Sequence, residues 1–247
     1  MRSYAIGDIH GHPDKLGALH RLIAADRALC GDDDAPVIHV GDLVDRGPDS
    51  RGVIDLLMAG IAAGENWVVL KGNHDRMFRG FMADPDYHDP RLRPDLWWLH
   101  ERLGGDTTLA SYGIDGADSR TLHDLHAEAE GKVPAAHVAF LEGLPLYLLR
   151  GECLFVHAGI RPGVDLRDQT EDDLLWIRKE FHEDFRDHGA LVIHGHTPVA
   201  GVTHYGNRVN IDTGAGYGKP MSAIVTEGRE VFQLTAGGRV RIVPPRP

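Results

Sequence analysis

Three short apolar runs in the first third of the chain, Tyr4–Ile6, Val37–Val40 and Trp67–Leu70, each stop at a glycine-bearing polar loop. The loops read Gly7-Asp8-Ile9-His10-Gly11, Gly41-Asp42-Leu43-Val44-Asp45-Arg46-Gly47 and Gly72-Asn73-His74-Asp75. Between the runs, apolar residues recur at helical spacing. Pro13, at a first-turn position, opens one segment with Leu16, Leu19, Leu22 and Ile23 on a single face. Ser50 is placed to cap the next, which carries Val53, Ile54, Leu57, Met58 and Ile61 and meets a stop at Gly64. The pattern is βαβαβ. It predicts an α/β sheet whose ligands gather at the carboxyl ends of its strands.

From Met77 to about Glu142 the periodicity is helical, with helices predicted at Asp95–Leu103, Thr107–Tyr112, Thr121–Glu130 and Pro134–Leu141 and no chemistry-bearing loop. Residues 77–142 thus read as a helical insert over one end of the sheet. Strand patterns return at Leu146–Leu149, Cys153–Val156, Ala190–Ile193, Arg208–Ile211, Met221–Val225, Val231–Leu234 and Val240–Val243, which implies a second sheet. A chain of 247 residues buries roughly 70–75% of its unfolded surface. One domain over residues 1–243 is expected, with a frayed tail at 244–247.

Charge removes several function classes. Lys+Arg 26 against Asp+Glu 37 leaves −11, a field that repels a phosphate backbone, so nucleic acid is not expected as a partner. No stretch reaches the roughly 18 apolar residues of a membrane span. Asp8 interrupts the N-terminus before a signal-peptide core can form, and Cys30 and Cys153 are too few for a disulfide framework, so a cytoplasmic location is expected. The acidic surplus has another use, because carboxylates bind hard divalent ions and 16 histidines are available beside them.

Two later loops, His157-Ala158-Gly159 and His194-Gly195-His196-Thr197, also follow strand patterns and bring the chemistry-bearing loops to five. A single strand-end Asp-x-His is equally well a turn or a cap. Five together point to a metal centre: Asp and His at i and i+2 can face one ion, and a carboxylate such as Asp42 can bridge two ions roughly 3.5–4 Å apart. Oxygen and nitrogen donors without thiolate favour Mn, Fe or Zn.

These loops resemble, in order and spacing, the signature of the phosphoprotein phosphatase (PPP) family of metallophosphoesterases, over about residues 3–226. The resemblance implies a four-layer α/β/β/α sandwich with a dinuclear centre of two divalent ions, Mn first among them. Asp8 and His10 would bind one ion, Asp42 would bridge, and Asn73, His157 and His196 would bind the second, with His194 a neighbour only. A metal-bridging hydroxide would attack phosphorus directly. Arg46, and more loosely Arg178, correspond to the family's phosphate clamps, and Asn73 and His74 would also face the phosphate. His74 would be the general acid, its tautomer fixed by Asp45. Asp75 stands where the family usually has glutamate, which leaves its role open, and Tyr217 in Ile211–Tyr217 is read as outside the site.

The leading expectation is a protein serine/threonine phosphatase, active also on phosphotyrosine or small aryl phosphates, with a phosphoprotein or small phosphate ester as substrate and no obligate regulatory subunit. The alternative is a symmetrical diadenosine tetraphosphate hydrolase, whose sequences share Gly-Asn-His-Asp. That branch commonly lacks an acid at the position of Asp45, which tilts the reading toward the phosphatase. The aromatic pair Trp97-Trp98 reads as packing.

Overall fold

The computed structural model describes residues 1–245, so the last two residues of the expected tail, 246–247, lie outside the described residues. The chain begins β1 (Arg2–Ile6), α1 (Pro13–Cys30), β2 (Val37–His39), α2 (Ser50–Ala62) and β3 (Trp67–Val69). Pro13 is the first residue of α1, as its fixed φ favours. The N-cap of α2 is Asp49, not Ser50: the Asp49 carboxylate accepts from the Gly52 amide at 2.7 Å, and Ser50 is buried with its hydroxyl turned inward. The insert follows as α3 (Asn73–Ala83), α4 (Gly105–Ser111), α5 (Leu122–Lys132) and α6 (Ala135–Glu142). Then come β4 (Tyr147–Arg150), β5 (Cys153–Val156), α7 (Glu171–Trp176), α8 (Lys179–His182), β6 (Leu191–His194), β7 (Thr203–His204), β8 (Arg208–Asn210), β9 (Ala223–Glu227), β10 (Glu230–Thr235) and β11 (Gly238–Ile242).

The strands form a six-stranded sheet, β11-β10-β9-β1-β2-β3, and a five-stranded sheet, β4-β5-β6-β8-β7. β1, β2 and β3 are mutually parallel, as are β5, β6 and β8; the remaining strands pair antiparallel at the edges. Alternation along each strand sets the layers. Ala5, Ile38 and Ile224 of the first sheet meet Phe155, Ile193 and Val209 of the second in one cluster between the sheets. Tyr4, Ile6 and Val37 point the other way, into a cluster with α1, α2 and the insert. Leu154, Val156 and Val192 leave the second sheet's outer face to pack with Leu174 and Phe181 of α7 and α8. The result is the four-layer α/β/β/α sandwich. No helix among the described residues is long and apolar enough to cross a membrane.

One predicted helix is absent. Residues 95–103 form successive turns closed by i→i−3 bonds, such as His100 N–H to Trp97 O at 2.8 Å and Leu103 N–H to His100 O at 2.8 Å. The segment lies between Pro94 and the Gly104-Gly105 pair, and Trp98 is held by tertiary bonds, its indole N–H on Asp45 Oδ2 at 2.9 Å and its carbonyl on the Gly105 amide at 3.3 Å, which outweigh a short helical pattern. These turns send Trp98 inward while Trp97 stays 43% exposed.

Candidate active site

The loops after β1, β2 and β3 in one sheet and after β5 and β6 in the other open at the same end of the sandwich, which brings residues far apart in sequence within hydrogen-bonding distance. Their backbones are bent to do so. Among the described residues, the non-glycine residues with positive φ are His10, Asp42, Asp45, Arg46 and His196, and every one belongs to these loops. Each costs roughly 1–3 kcal/mol and persists only where its surroundings hold it. Two glycines are required by space: a Cβ at Gly195 would collide with the Asp8 carboxylate, and one at Gly72 with the Asp42 amide and carboxylate.

Asp42 lies at the centre, its two oxygens divided between two sets of donors. Oδ1 is 3.4 Å from His157 Nε2, while Oδ2 is 3.5 Å from His10 Nε2. Asn73 Oδ1 completes one side, 2.9 Å from His157 Nε2 and 2.8 Å from His196 Nδ1. The imidazole tautomers test whether metal fits. His157 Nδ1–H donates to Val40 O at 2.9 Å and His10 Nδ1–H to Val44 O at 2.8 Å, so neither Nε2 carries the proton and each offers a lone pair. At His157 that lone pair faces the oxygens of Asn73 and Asp42 with no proton between them. A divalent cation resolves such a convergence, and His10/Asp42/His74 and Asp42/His157/His196 each bring donor atoms within 4.8 Å of one another. Asp8, expected beside His10, is adjacent: its Oδ2 accepts from the His196 amide at 3.1 Å.

Electrostatics agree with a cation site. Burial pushes the Asp8 carboxyl well above the usual carboxylate range, helped by the charges of Asp212 and Asp42. Asp42 is also buried, yet, surrounded by the rings of His157, His74, His10 and His196, it lies well below the usual carboxylate range, the ionised form a cation would bind. Burial lowers His10, His157 and His196, keeping them in the neutral form that ligates metal.

His74 Nδ1 lies 2.6 Å from Asp45 Oδ2, both side chains buried. Asp45 is in turn gripped by the insert: Trp98 Nε1–H donates to Oδ2 at 2.9 Å and the Thr108 hydroxyl to Oδ1 at 2.7 Å, while the Asp45 amide donates to Ser50 Oγ and Thr108 Oγ1. The Arg46 amide donates to Gly104 O at 3.2 Å. The expectation that the insert carries no chemistry therefore needs correction, and Trp98 does more than pack. Arg46 Nη1 reaches His10 Nε2 at 2.8 Å, and Arg178 Nε donates to His196 Nε2 at 3.0 Å, so both arginines reach the cleft. The cleft holds about 160 Å³ and is lined by Asp42, Arg46, Asn73, His74, Arg178 and His196, among others.

Three residues matter that the sequence left open or outside. Asp75 fastens two site loops, accepting from Leu43 N at 2.9 Å and Gly72 N at 2.7 Å; burial, then the Asp42 charge, pushes its carboxyl up to about 8. Buried Asp212, pushed up to about 6 by burial, sits beside Asp8, and its place after β8, a strand of the same parallel set as β5 and β6, was the available signal. Tyr217 lines the cleft with the Arg46 guanidinium 4.7 Å from its ring centre, correcting its exclusion. His194 turns away, its Nε2 accepting from Arg208 at 3.1 Å.

Two donor sets that share Asp42 and two arginines that reach the same cleft suit phosphoester hydrolysis, and the family match agrees: the calcineurin-like phosphoesterase model covers residues 1–221, and the chain belongs to that family. More narrowly, the chain is 27% identical over 246 residues to the asymmetrical bis(5'-nucleosyl)-tetraphosphatase PrpE of Anoxybacillus flavithermus, covering 89% of this chain and 88% of that one. Two solved structures share the fold at TM-score 0.63. One is described as a candidate diadenosine tetraphosphatase (22% identity, 98% of this chain and 94% of that one); the other is a cold-active protein-tyrosine phosphatase of a psychrophilic Shewanella (17%, 98% and 80%). The family match is to the broad superfamily and does not single out the phosphoprotein phosphatase branch.

Proposed function

We propose that the protein hydrolyses bis(5'-nucleosyl) tetraphosphates, cleaving asymmetrically to a nucleoside triphosphate and a monophosphate. The observation that carries this over the protein-phosphatase expectation is the extent of the match to the Anoxybacillus enzyme, which runs through nearly the whole of both chains. Asp45 weighed against the symmetrical enzymes and does not count against this reading. Asp8, His10, Asp42, Asn73, His157 and His196 would hold two divalent ions, Mn the first choice, which would supply an activated water and draw charge from the phosphoryl oxygens. Arg46 and Arg178 clamp non-bridging oxygens. Support for that clamp comes from buried Arg46 Nε, Trp176 Nε1 and Thr197 Oγ1, polar atoms on cleft-lining residues with no protein partner. His74, held by Asp45, donates a proton from Nε2 to a leaving oxygen.

That buried His74–Asp45 pair favours a second reading, a phosphomonoesterase on phosphoserine or phosphothreonine, since an alkoxide needs a proton more than a departing nucleotide does. The test is a comparison of kcat/KM after metal stripping and Mn reconstitution, with diadenosine tetraphosphate, a phosphoserine peptide and a phosphotyrosine peptide. The dinucleotide is expected to lead by orders of magnitude and to give ATP and AMP. ADP as the sole product would establish symmetrical cleavage, and preference for a phosphopeptide would reverse the order of the two readings.

A further inference from the structure

A groove of about 520 Å³ runs off the cleft and shares Pro198 and Tyr217 with it. We propose that this groove is a nucleoside subsite, taking one purine nucleoside of a dinucleoside polyphosphate while the phosphate to be cleaved lies in the cleft; the proposal rests on the function proposed above.

Size requires such a place. The cleft, at about 160 Å³, has room for about five waters and suits a phosphoryl group, not a nucleoside. The groove falls in the range of small-molecule sites, roughly 300–1,000 Å³. Its chemistry suits a heterocycle. Val199, Ala200, Pro220 and Met221 supply apolar surface, and the Gln233 carboxamide offers a donor and an acceptor to a base edge. Tyr217 is 58% exposed at the junction, with Arg46 beside its ring, which leaves ring surface for a base to stack on.

The walls are fixed in advance. Val199 N–H donates to Asp212 O at 2.9 Å, Asn210 Nδ2 to Thr197 O at 2.7 Å, and the Thr213 hydroxyl to Pro220 O at 2.7 Å, so both sides are tied to each other and to β8. Charge fits a polyphosphate leaving the cleft. Lys219 lines the groove with its side chain over Gly214, and Lys15 Nζ donates to Lys219 O at 2.9 Å, placing two ammonium-bearing residues together in a chain of net charge −11. A phosphopeptide would not call for a ring-stacking platform at the junction.

Gly201 lines the groove, and a Cβ there meets nothing within 4 Å, so Gly201→Phe fills the space without forcing the backbone. The Mn-loaded protein is assayed with diadenosine tetraphosphate and with para-nitrophenyl phosphate, and adenosine binding to the same protein is measured by calorimetry. Gly201→Phe is expected to lower kcat/KM for the dinucleotide about tenfold or more, through KM, to leave the aryl phosphate within about twofold, and to abolish adenosine binding. Ala200→Phe, on the exposed rim, repeats the test should Gly201→Phe fold poorly. Equal kinetics of variant and wild type on the dinucleotide, an equal loss on a phosphoserine peptide, or unchanged adenosine binding overturns the subsite. Should wild type bind adenosine in a Gly201→Phe-sensitive way yet leave the dinucleotide intact, the subsite stands and the proposed reaction falls.

Discussion

Thr108→Val isolates the hold of the insert on Asp45, because valine keeps the shape and removes only the hydroxyl. That hydroxyl donates to Asp45 Oδ1 at 2.7 Å, accepts from the Asp45 amide at 2.9 Å and meets Ser50 Oγ at 2.9 Å, all in a fully buried setting. A hydrogen bond to a charged group contributes about 1.5–3 kcal/mol. The Asp45 amide keeps Ser50 and the carboxylate keeps Trp98 and His74, so the loss falls near the lower end, at about 2 kcal/mol. For a domain of this size that is a drop in Tm of about 4–8 °C. Asp45 and Arg46 both sit at positive φ, 71° and 67°, and loosening the carboxylate lets that turn relax and His74 lose its orientation. The kcat for a phosphoserine peptide should therefore fall about tenfold, with bound metal unchanged by elemental analysis and KM little moved. Melts and steady-state kinetics on the Mn-loaded protein decide it. A Tm within a degree of wild type together with unaltered kcat would refute the clamp.

Asp42→Asn should abolish turnover of each substrate and empty both donor sets in a metal analysis, since both share that carboxylate; retained activity would remove the two-ion account. His74→Asn should retain metal and lower kcat about 10²–10³-fold on an alkyl phosphate but far less on an aryl phosphate or a dinucleoside tetraphosphate, whose more acidic leaving groups need the proton less; a uniform loss would deny His74 the acid role. Chelation should lower Tm by about 10–20 °C, the effect of two ions each held at about a hundred times its Kd, and Mn should restore it; calorimetry with and without chelator checks this. Burial holds His20 down to about 4 and His39 to about 3, whereas the unfolded chain protonates both near pH 6.5. Stability should then fall as pH drops from about 6.5 toward 4, by up to about 1.4 kcal/mol per pH unit for each histidine. His20→Gln should flatten that limb in melts taken at pH 7 and pH 5, and an unchanged slope would count against the assignment.

The sandwich and its donor loops were legible because period-two alternation and strand-end glycines are local signals. Tyr4 and Ala5 point to opposite faces, and Gly41-Asp42 marks where β2 stops. What escaped lies in contacts made at long range. Nothing near Trp98 announces that its indole reaches Asp45, 53 residues earlier, from turns at 95–103 where the sequence predicts a helix. Asp75 looked like a shortened glutamate, yet the shorter side chain fits the distance from α3 to the amides of Leu43 and Gly72. Ser50 looked like a cap because caps favour serine; Asp49 took that position, which frees Ser50 to hold Asp45 from the helix side. Tyr217 carries no signal in the sequence, since its ring acquires meaning only where Arg46 lies against it.

The strained and acidic character of the site follows from a single requirement. Donor atoms from two sheets must converge on points between strand ends, and regular backbone directs them past one another; positive φ at His10, Asp42 and His196 turns them inward. The same convergence buries Asp8, Asp42, Asp75 and Asp212 together, and three of the four carboxyls are pushed up as a result. Charge of that density without cations opposes folding, so ions bound there would also relieve the arrangement that binds them. Net charge therefore misleads as a guide to ligands here. A chain of −11 repels extended polyanions, yet two cations bound beside Arg46 and Arg178 would make its cleft locally positive and open to a single phosphate.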